Sequence, residues 1–253
     1  MGFFNDMLND MINDIKLQIT DPSGYLGKFG EDQTEFMLDI INLFGRKGIS
    51  LRNIYLPAEN GKTSEIDLLY ITQKGIFVFE SKNYSGWIFG DEAQYQWTSS
   101  LPNGDKHRFY NPIRQNKTHI KWLQNYLKKD IPMFSMIVFS ERCELKKITF
   151  ETPDVFVFKR DDTYWVIRRI WESKPDVLAE NEIREISEKL SVLTEVDETT
   201  KRTHVEQIQK DALTCPRCGG KLVLRTAKQG ASAGTQFYGC SNYPNCKFTK
   251  NAT

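Results

Sequence analysis

Residues 65–82 read Glu-Ile-Asp-Leu-Leu-Tyr-Ile-Thr-Gln-Lys-Gly-Ile-Phe-Val-Phe-Glu-Ser-Lys, and their pattern decides the fold. Two apolar runs, residues 65–71 and 76–82, flank Thr72-Gln73-Lys74-Gly75, a polar break ending in glycine of the kind that closes a β-hairpin. If the arms are symmetric about Gln73-Lys74, Ile71 faces Ile76, Leu69 faces Val78 and Asp67 faces Glu80. Leu68, Tyr70, Phe77 and Phe79 then line one side, and Leu69, Ile71, Ile76 and Val78 the other. A strand pair apolar on both sides is central to a sheet and covered above and below.

The same register gathers charge at one end of the hairpin. Residues two apart share a face, so Asp67, Glu80 and Lys82 fall together. Opposed Cβ atoms lie about 4.5–5.5 Å apart, close enough for two carboxylates to grip one divalent cation. Two buried like charges are unfavourable without such a cation. Lys82 offers a second reading, a structural ion pair, and the register sets Glu65 opposite it. The residues alone leave both readings open.

Outward from the hairpin, the pattern continues as mixed α/β. Residues 51–56 read as a strand, and residues 87–89 and 95–98 as short strands around Gly90-Asp91-Glu92. Asn111-Pro112 provides an N-cap followed by proline at the first helical position, opening a helix to about Lys128. Residues 135–139 and 155–158 are further strands. Phe4, Leu8, Met11, Ile15 and Ile19 have helical spacing, and a second helix is expected over residues 30–44. An acidic helix spans residues 180–193, followed by a charged connector over residues 195–211. The expected divisions are an amphipathic helix (1–27), an α/β domain (28–170), an acidic helical linker (171–211) and a small C-terminal module (212–253).

That last module differs in charge. From Ala212 onward there are six basic residues and no acidic one, which leaves 28 basic against 33 acidic residues elsewhere. A basic module on an acidic body points to a polyanionic partner. Cys215-Pro-Arg-Cys218 and Cys240-Ser-Asn-Tyr-Pro-Asn-Cys246 are two knuckles separated by 21 residues, and four thiolates in this arrangement suit one structural Zn²⁺. A segment of some 40 residues has too little core to fold unaided, so metal supplies much of its stability. Phe237, Tyr238, Tyr243 and Phe248 offer faces for stacking bases, interleaved with Arg217, Lys221, Arg225 and Lys247 for phosphates. The words Cys215-Pro-Arg-Cys218-Gly-Gly-Lys-Leu and Phe237-Tyr-Gly-Cys240 resemble the C-terminal zinc ribbons of type IA DNA topoisomerases. That resemblance implies binding of single-stranded DNA.

The hairpin carries a second resemblance. Asp67, twelve residues, then Glu80-Ser81-Lys82 is similar to the core of the PD-(D/E)xK nuclease superfamily, although Ile66 stands where the superfamily's proline would be. With Gly30-Glu31, the run from Gly75 to Trp87 and Asn111-Pro-Ile-Arg-Gln115, the chain resembles the nuclease-related domain, NERD. The resemblance implies a restriction-endonuclease-like mixed sheet flanked by helices. It implies Mg²⁺ or Mn²⁺ on Asp67 and Glu80, with a carboxylate from Glu31 or, one turn on, Glu35. It further implies that Lys82 activates the attacking water, and that Gln115 is a polar site position.

The remaining features narrow the class. With 40% apolar and 26% charged residues the chain is neither disordered nor a disulfide scaffold. No leader or spanning segment is read, so a cytoplasmic protein without membrane contact is expected. DNA, single-stranded or branched, is the expected partner, and residues 1–27 are a candidate surface for a homodimer or protein partner. Cys143 reads as a free thiol, and His107, His119 and His204 as surface or satisfied residues. Trp87 and Trp97 flank a candidate substrate cleft, and both read as core because tryptophan in a sheet is most often packed inside. The rival to a Mg²⁺-dependent nuclease is a non-catalytic nucleic-acid-binding protein built on a nuclease-like scaffold.

Overall fold

The computed structural model describes residues 47–59, 62–215, 217–229 and 233–251, together with Leu38. The N-terminal helix, most of the helix expected over residues 30–44, and both Glu31 and Glu35 lie outside the described residues.

The central sheet has five strands in the order β1-β2-β3-β7-β9. These are β1 (Gly48–Pro57), β2 (Thr63–Thr72), β3 (Gly75–Lys82), β7 (Met133–Phe139) and β9 (Val155–Lys159). The first three are antiparallel, while β7 and β9 run parallel to β3. The hairpin turns where expected, with Leu69 opposite Val78, Ile71 opposite Ile76 and Thr72 opposite Gly75. Gly75 is required there: its φ is +123°, and a Cβ would lie 2.3 Å from the Pro132 carbonyl oxygen.

Helices cover both faces, as the doubly apolar strands demand. On one side α1 (Pro112–Leu127) and, after it in the chain, the helix Glu180–Ser191 pack Leu123, Leu127, Ile183, Ile186 and Leu190 against Leu69, Ile71, Ile76 and Val78. On the other, Leu38 and α2 (Thr163–Ser173) bury Ile167 and Ile170 against Leu68, Tyr70, Phe77 and Phe79. The acidic helix, α3 (Glu180–Ser191), thus builds the main core, although it falls within the span read as a linker. A fourth helix, α4 (Glu198–Ala212), leads into the C-terminal module.

A second sheet follows directly from β3. It runs in the order β6-β5-β4-β8, with β4 (Gly86–Asp91), β5 (Gln96–Ser100), β6 (Lys106–Tyr110) and β8 (Cys143–Thr149). Its inner face, including Ile88, Trp97 and Phe109, packs on Ile137 and Phe139 of the central sheet.

One side chain joins the second sheet to α1. The Asn111 Oδ1 accepts from the Ile113 and Arg114 amides, capping the helix. Its Nδ2 donates to the carbonyls of Asp91, Glu92 and Gln94, and the residue is fully buried. Asn111→Ala removes the cap and strands these carbonyls, so a destabilisation of about 2–3 kcal/mol is expected. A shift of the urea midpoint without a change in slope checks it.

Candidate active site

The site occupies a fork between β2 and β3. Their ladder ends at Leu68 opposite Phe79, while β2 continues along β1 to Thr63 and β3 continues along β7 to Lys82. The expected direct opposition of Asp67 and Glu80 is therefore not formed. Instead the Asp67 Oδ2 accepts the Ser81 amide at 2.9 Å, in place of a backbone partner.

The reason is a matched kink. Ile66 and Leu69 of β2 face the same core layer although they are three apart, and so do Leu51 and Ile54 of β1. The β1–β2 register skips the Asn53–Asp67 pair, where Asn53 adopts φ +50°. Strict alternation breaks at Asp67, and the carboxylate turns toward β3. Glu65 consequently does not meet Lys82: it pairs with His204 Nε2 of α4 at 3.3 Å.

Glu80 lies at the centre of the polar cluster, 2% exposed. Its Oε1 accepts from Lys82 Nζ at 2.5 Å and its Oε2 from His119 Nε2 at 3.1 Å. Lys82 also donates to the Gln115 Oε1 at 3.1 Å. Gln115 and His119 are four apart on α1 and so share one helical face. Because a carboxylate only accepts, His119 Nε2 donates to Glu80, and its Nδ1 lies 2.7 Å from the Ser64 hydroxyl. Asn116 holds this helix to the sheet by donating to the Val78 carbonyl and to Ser135 Oγ.

Burial acts to raise the Glu80 carboxyl, but the Lys82 ammonium and the hydrogen bond from His119 outweigh it and hold the group below its ordinary value. For Lys82 burial acts downward, and the charges of Glu80 and Asp67 hold the ammonium above its ordinary value. Glu80 and Lys82 are therefore both charged at neutral pH. With its folded pKa depressed, Glu80 contributes stability that is present above the unfolded carboxylate range and lost as pH falls through the folded value. Glu80→Gln is expected to flatten the acid limb of the stability–pH curve, measured by urea unfolding from pH 7 to pH 3.

The structure thus brings Glu80, Lys82 and Gln115 into contact and sets Asp67 beside them through Ser81. His119 had no metal-ligand spacing in sequence. Its position one turn beyond Gln115 was the signal that it faces the same strand.

The cysteines form the second candidate centre. Among the described residues they are the one group of three or more metal-ligating side chains with ligand atoms within 4.8 Å of one another. Sγ–Sγ distances are 3.4 Å for Cys218–Cys240 and 3.6 Å for Cys215–Cys246. Thiolates bound at about 2.3 Å to one tetrahedral ion sit about 3.8 Å apart, so the set fits zinc. The Gly220 amide draws the Cys218 thiol down to about 6. Around them lies a three-stranded sheet of β10 (Leu222–Thr226), β11 (Gln236–Cys240) and β12 (Thr249–Asn251).

The expected base-stacking residues divide. Tyr243 is 61% exposed, with the Arg225 guanidinium 5.8 Å from its ring centre. Tyr238 and Phe248 pack on the cysteine cluster and brace the module. Phe237 is half-buried opposite Arg225, and Arg217, Lys221 and Lys247 are exposed.

Residues 26–140 match the nuclease-related domain. An uncharacterized protein of Bacillus anthracis is 31% identical over 183 residues, 72% of this chain and 83% of the relative. The chain belongs to the nuclease-related domain family. In this NERD protein, residues 212–253 match the DNA-binding C4 zinc finger of topoisomerases. DNA topoisomerase 1 of Archaeoglobus fulgidus is 39% identical over 88 residues, and that of Methanocaldococcus jannaschii 46% over 44. The NERD chain spans 13% and 5% of those enzymes. No solved structure matches the chain. Among the described residues no helix is long and apolar enough to cross a membrane.

Proposed function

We propose that the protein is a metal-dependent nuclease that hydrolyses phosphodiester bonds in DNA, with its zinc ribbon holding a single-stranded or branched substrate. The observation that carries this reading is the buried Glu80 carboxylate at the fork, ionised beside an ammonium, with Asp67 across the Ser81 amide. The donors are hard carboxylate oxygens, which suit Mg²⁺ or Mn²⁺, and Asp67 and Glu80 would hold the ion. Glu31 is the proposed third carboxylate. When bound, the metal supplies an activated water and neutralises charge on the phosphate.

The chain's own groups supply the rest. Lys82 steadies the attacking water and the negative phosphate oxygens, and Gln115 orients its ammonium. His119 acts through Glu80, fixing the carboxylate in place while Ser64 fixes the imidazole. The ribbon raises the local concentration of DNA at the fork by tethering. A reducing cytoplasm suits thiolate–zinc chemistry.

One observation favours the rival, a non-catalytic nucleic-acid-binding scaffold: both Glu80 oxygens already have cationic or hydrogen-bonding partners, as in a structural ion pair. Incubating the full chain with end-labelled linear, circular, nicked and forked DNA in Mg²⁺ separates the two. Cleavage that stops when Mg²⁺ is omitted supports the nuclease, and binding without cleavage of any substrate supports the scaffold.

A further inference from the structure

The sheet β6-β5-β4-β8 has one covered face, and the chemistry of the other is unusual. Ile88, Trp97 and Phe109 are buried inward. By alternation Trp87 and Phe89 of β4 stand outward, 52% and 36% exposed. Across the sheet Trp87 neighbours Ser100 and then Lys106, while Phe89 neighbours Thr98 and then Arg108. Small hydroxyl side chains therefore leave room beside each ring, and a cation closes each row.

The opposite edge is also cationic. The register of β8 against β4 slips between Ile88 and Phe89, which makes Lys146 an extra residue. Leu145 and Ile148 both still pack inward, so Lys146 and Lys147 are left exposed together. Lys146 Nζ stands 5.3 Å from the centre of the Trp87 ring. Two acids share this face: Glu144 is held by Lys146 at 2.5 Å, and Asp91 accepts from the Thr149 hydroxyl near Lys147. Single exposed aromatics need no explanation, but a pair flanked by four cations is complementary to a polyanion with flat bases.

We propose that this face is a nucleic-acid-binding surface separate from the ribbon, and that its occupant is an extended single strand. Two successive bases stack on Trp87 and Phe89, and phosphates run along the rims formed by Lys106 with Arg108 and by Lys146 with Lys147. Same-face residues on a strand are about 6.7 Å apart, twice the roughly 3.4 Å rise of stacked DNA. Bases seated on both rings are splayed from each other, which a duplex does not allow. Four residues lie between Lys82 and Trp87, and the five chain steps span at most about 18 Å, so the strand passes close to the fork. In that last respect the inference rests on the nuclease reading; strand binding does not.

The test uses the full zinc-loaded chain without Mg²⁺ and a fluorescein-labelled oligo(dT). Trp87→Ala with Phe89→Ala is expected to weaken binding by about tenfold or more. Trp87→Phe with Phe89→Tyr keeps both rings and stays within about threefold, which separates stacking from damage to the sheet. Lys106→Ala with Arg108→Ala lowers the slope of log K against log salt by about 1.4. Ultraviolet crosslinking places oligo(dT) on peptides from residues 86–110 as well as on the ribbon. Wild-type affinity in the double alanine variant, equal loss in the ring-conserving variant, or crosslinks confined to the ribbon would each overturn the proposal. So would loss of self-association in place of DNA binding, which assigns the face to a second copy. Crosslinking at Trp87 in a protein that never cleaves DNA removes the nuclease reading and leaves this one standing; cleavage without crosslinking does the reverse.

Discussion

Lys82→Ala lowers DNA cleavage by about a thousandfold, while oligonucleotide binding stays within about twofold of wild type. The expectation follows from what the ammonium touches. It is the cation on the Glu80 Oε1, at 2.5 Å, and it is aimed by Gln115. Removing one preorganised donor from a developing anion typically reduces rate by about 10²–10³, and here the same group also steadies the nucleophile. Truncation also leaves Glu80 buried with His119 as its remaining hydrogen-bonding side chain, so a stability loss of about 3 kcal/mol accompanies it. Glu80→Gln separates the two effects, because it keeps the shape of the carboxyl group but not its charge. Both variants fail in cleavage, and urea unfolding at 25 °C shows that both are folded.

Zinc removal produces the second large effect, and confines it to one module. The buried cluster of the ribbon consists of Cys215, Leu222, Cys240 and Cys246. Three of those four are the ligands themselves, so without metal there is almost no core to hold β10–β12 together. Structural zinc contributes about 10–16 kcal/mol in small modules of this kind, far more than one leucine can. Chelation, or Cys240→Ser, is expected to unfold residues 212–253 and to leave the α/β body melting as before. Binding of oligo(dT) then falls to the residual level supplied by the β4–β6 face. Metal analysis finds one zinc per chain before treatment and none after. Retention of ribbon amide protection in the zinc-free chain would contradict the account.

The parts of the fold that were legible in sequence are those buried on both sides. The hairpin β2–β3 and the strands β7 and β9 carry continuous apolar runs, and the Asn111-Pro112 cap announces α1. The strands β6, Lys-His-Arg-Phe-Tyr, and β8, Cys-Glu-Leu-Lys-Lys-Ile-Thr, escaped notice because they are the two edges of the small sheet and largely face solvent. The slip at Lys146 also destroys the alternation that would have marked β8. Helix α4 reads as a charged connector because it has little apolar face. The body instead holds it through His204, which meets Thr63 Oγ1 at 2.7 Å and Glu65 at 3.3 Å.

The candidate site was legible as a set of residues and not as a geometry. Hairpin arithmetic found Asp67, Glu80 and Lys82, but it assumed regular strands. The left-handed Asn53 breaks that regularity opposite Asp67, and nothing in the local sequence of β2 shows it. Glu65 was assigned to Lys82 by the same assumption and goes to α4 instead. His119 stayed hidden because its partners, Ser64 and Glu80, are 55 and 39 residues away.

If Asp67 and Glu80 together make the fork a metal-dependent phosphodiesterase, cleavage must depend on both the metal and Asp67. The most direct measurement is single-turnover cleavage of end-labelled DNA as Mg²⁺ is titrated, with wild type and Asp67→Asn prepared and zinc-loaded side by side. A rate that rises and saturates with Mg²⁺ in the wild type and is lost in Asp67→Asn is the predicted result. Equal cleavage by both proteins, or none by either at any Mg²⁺ concentration, would contradict it.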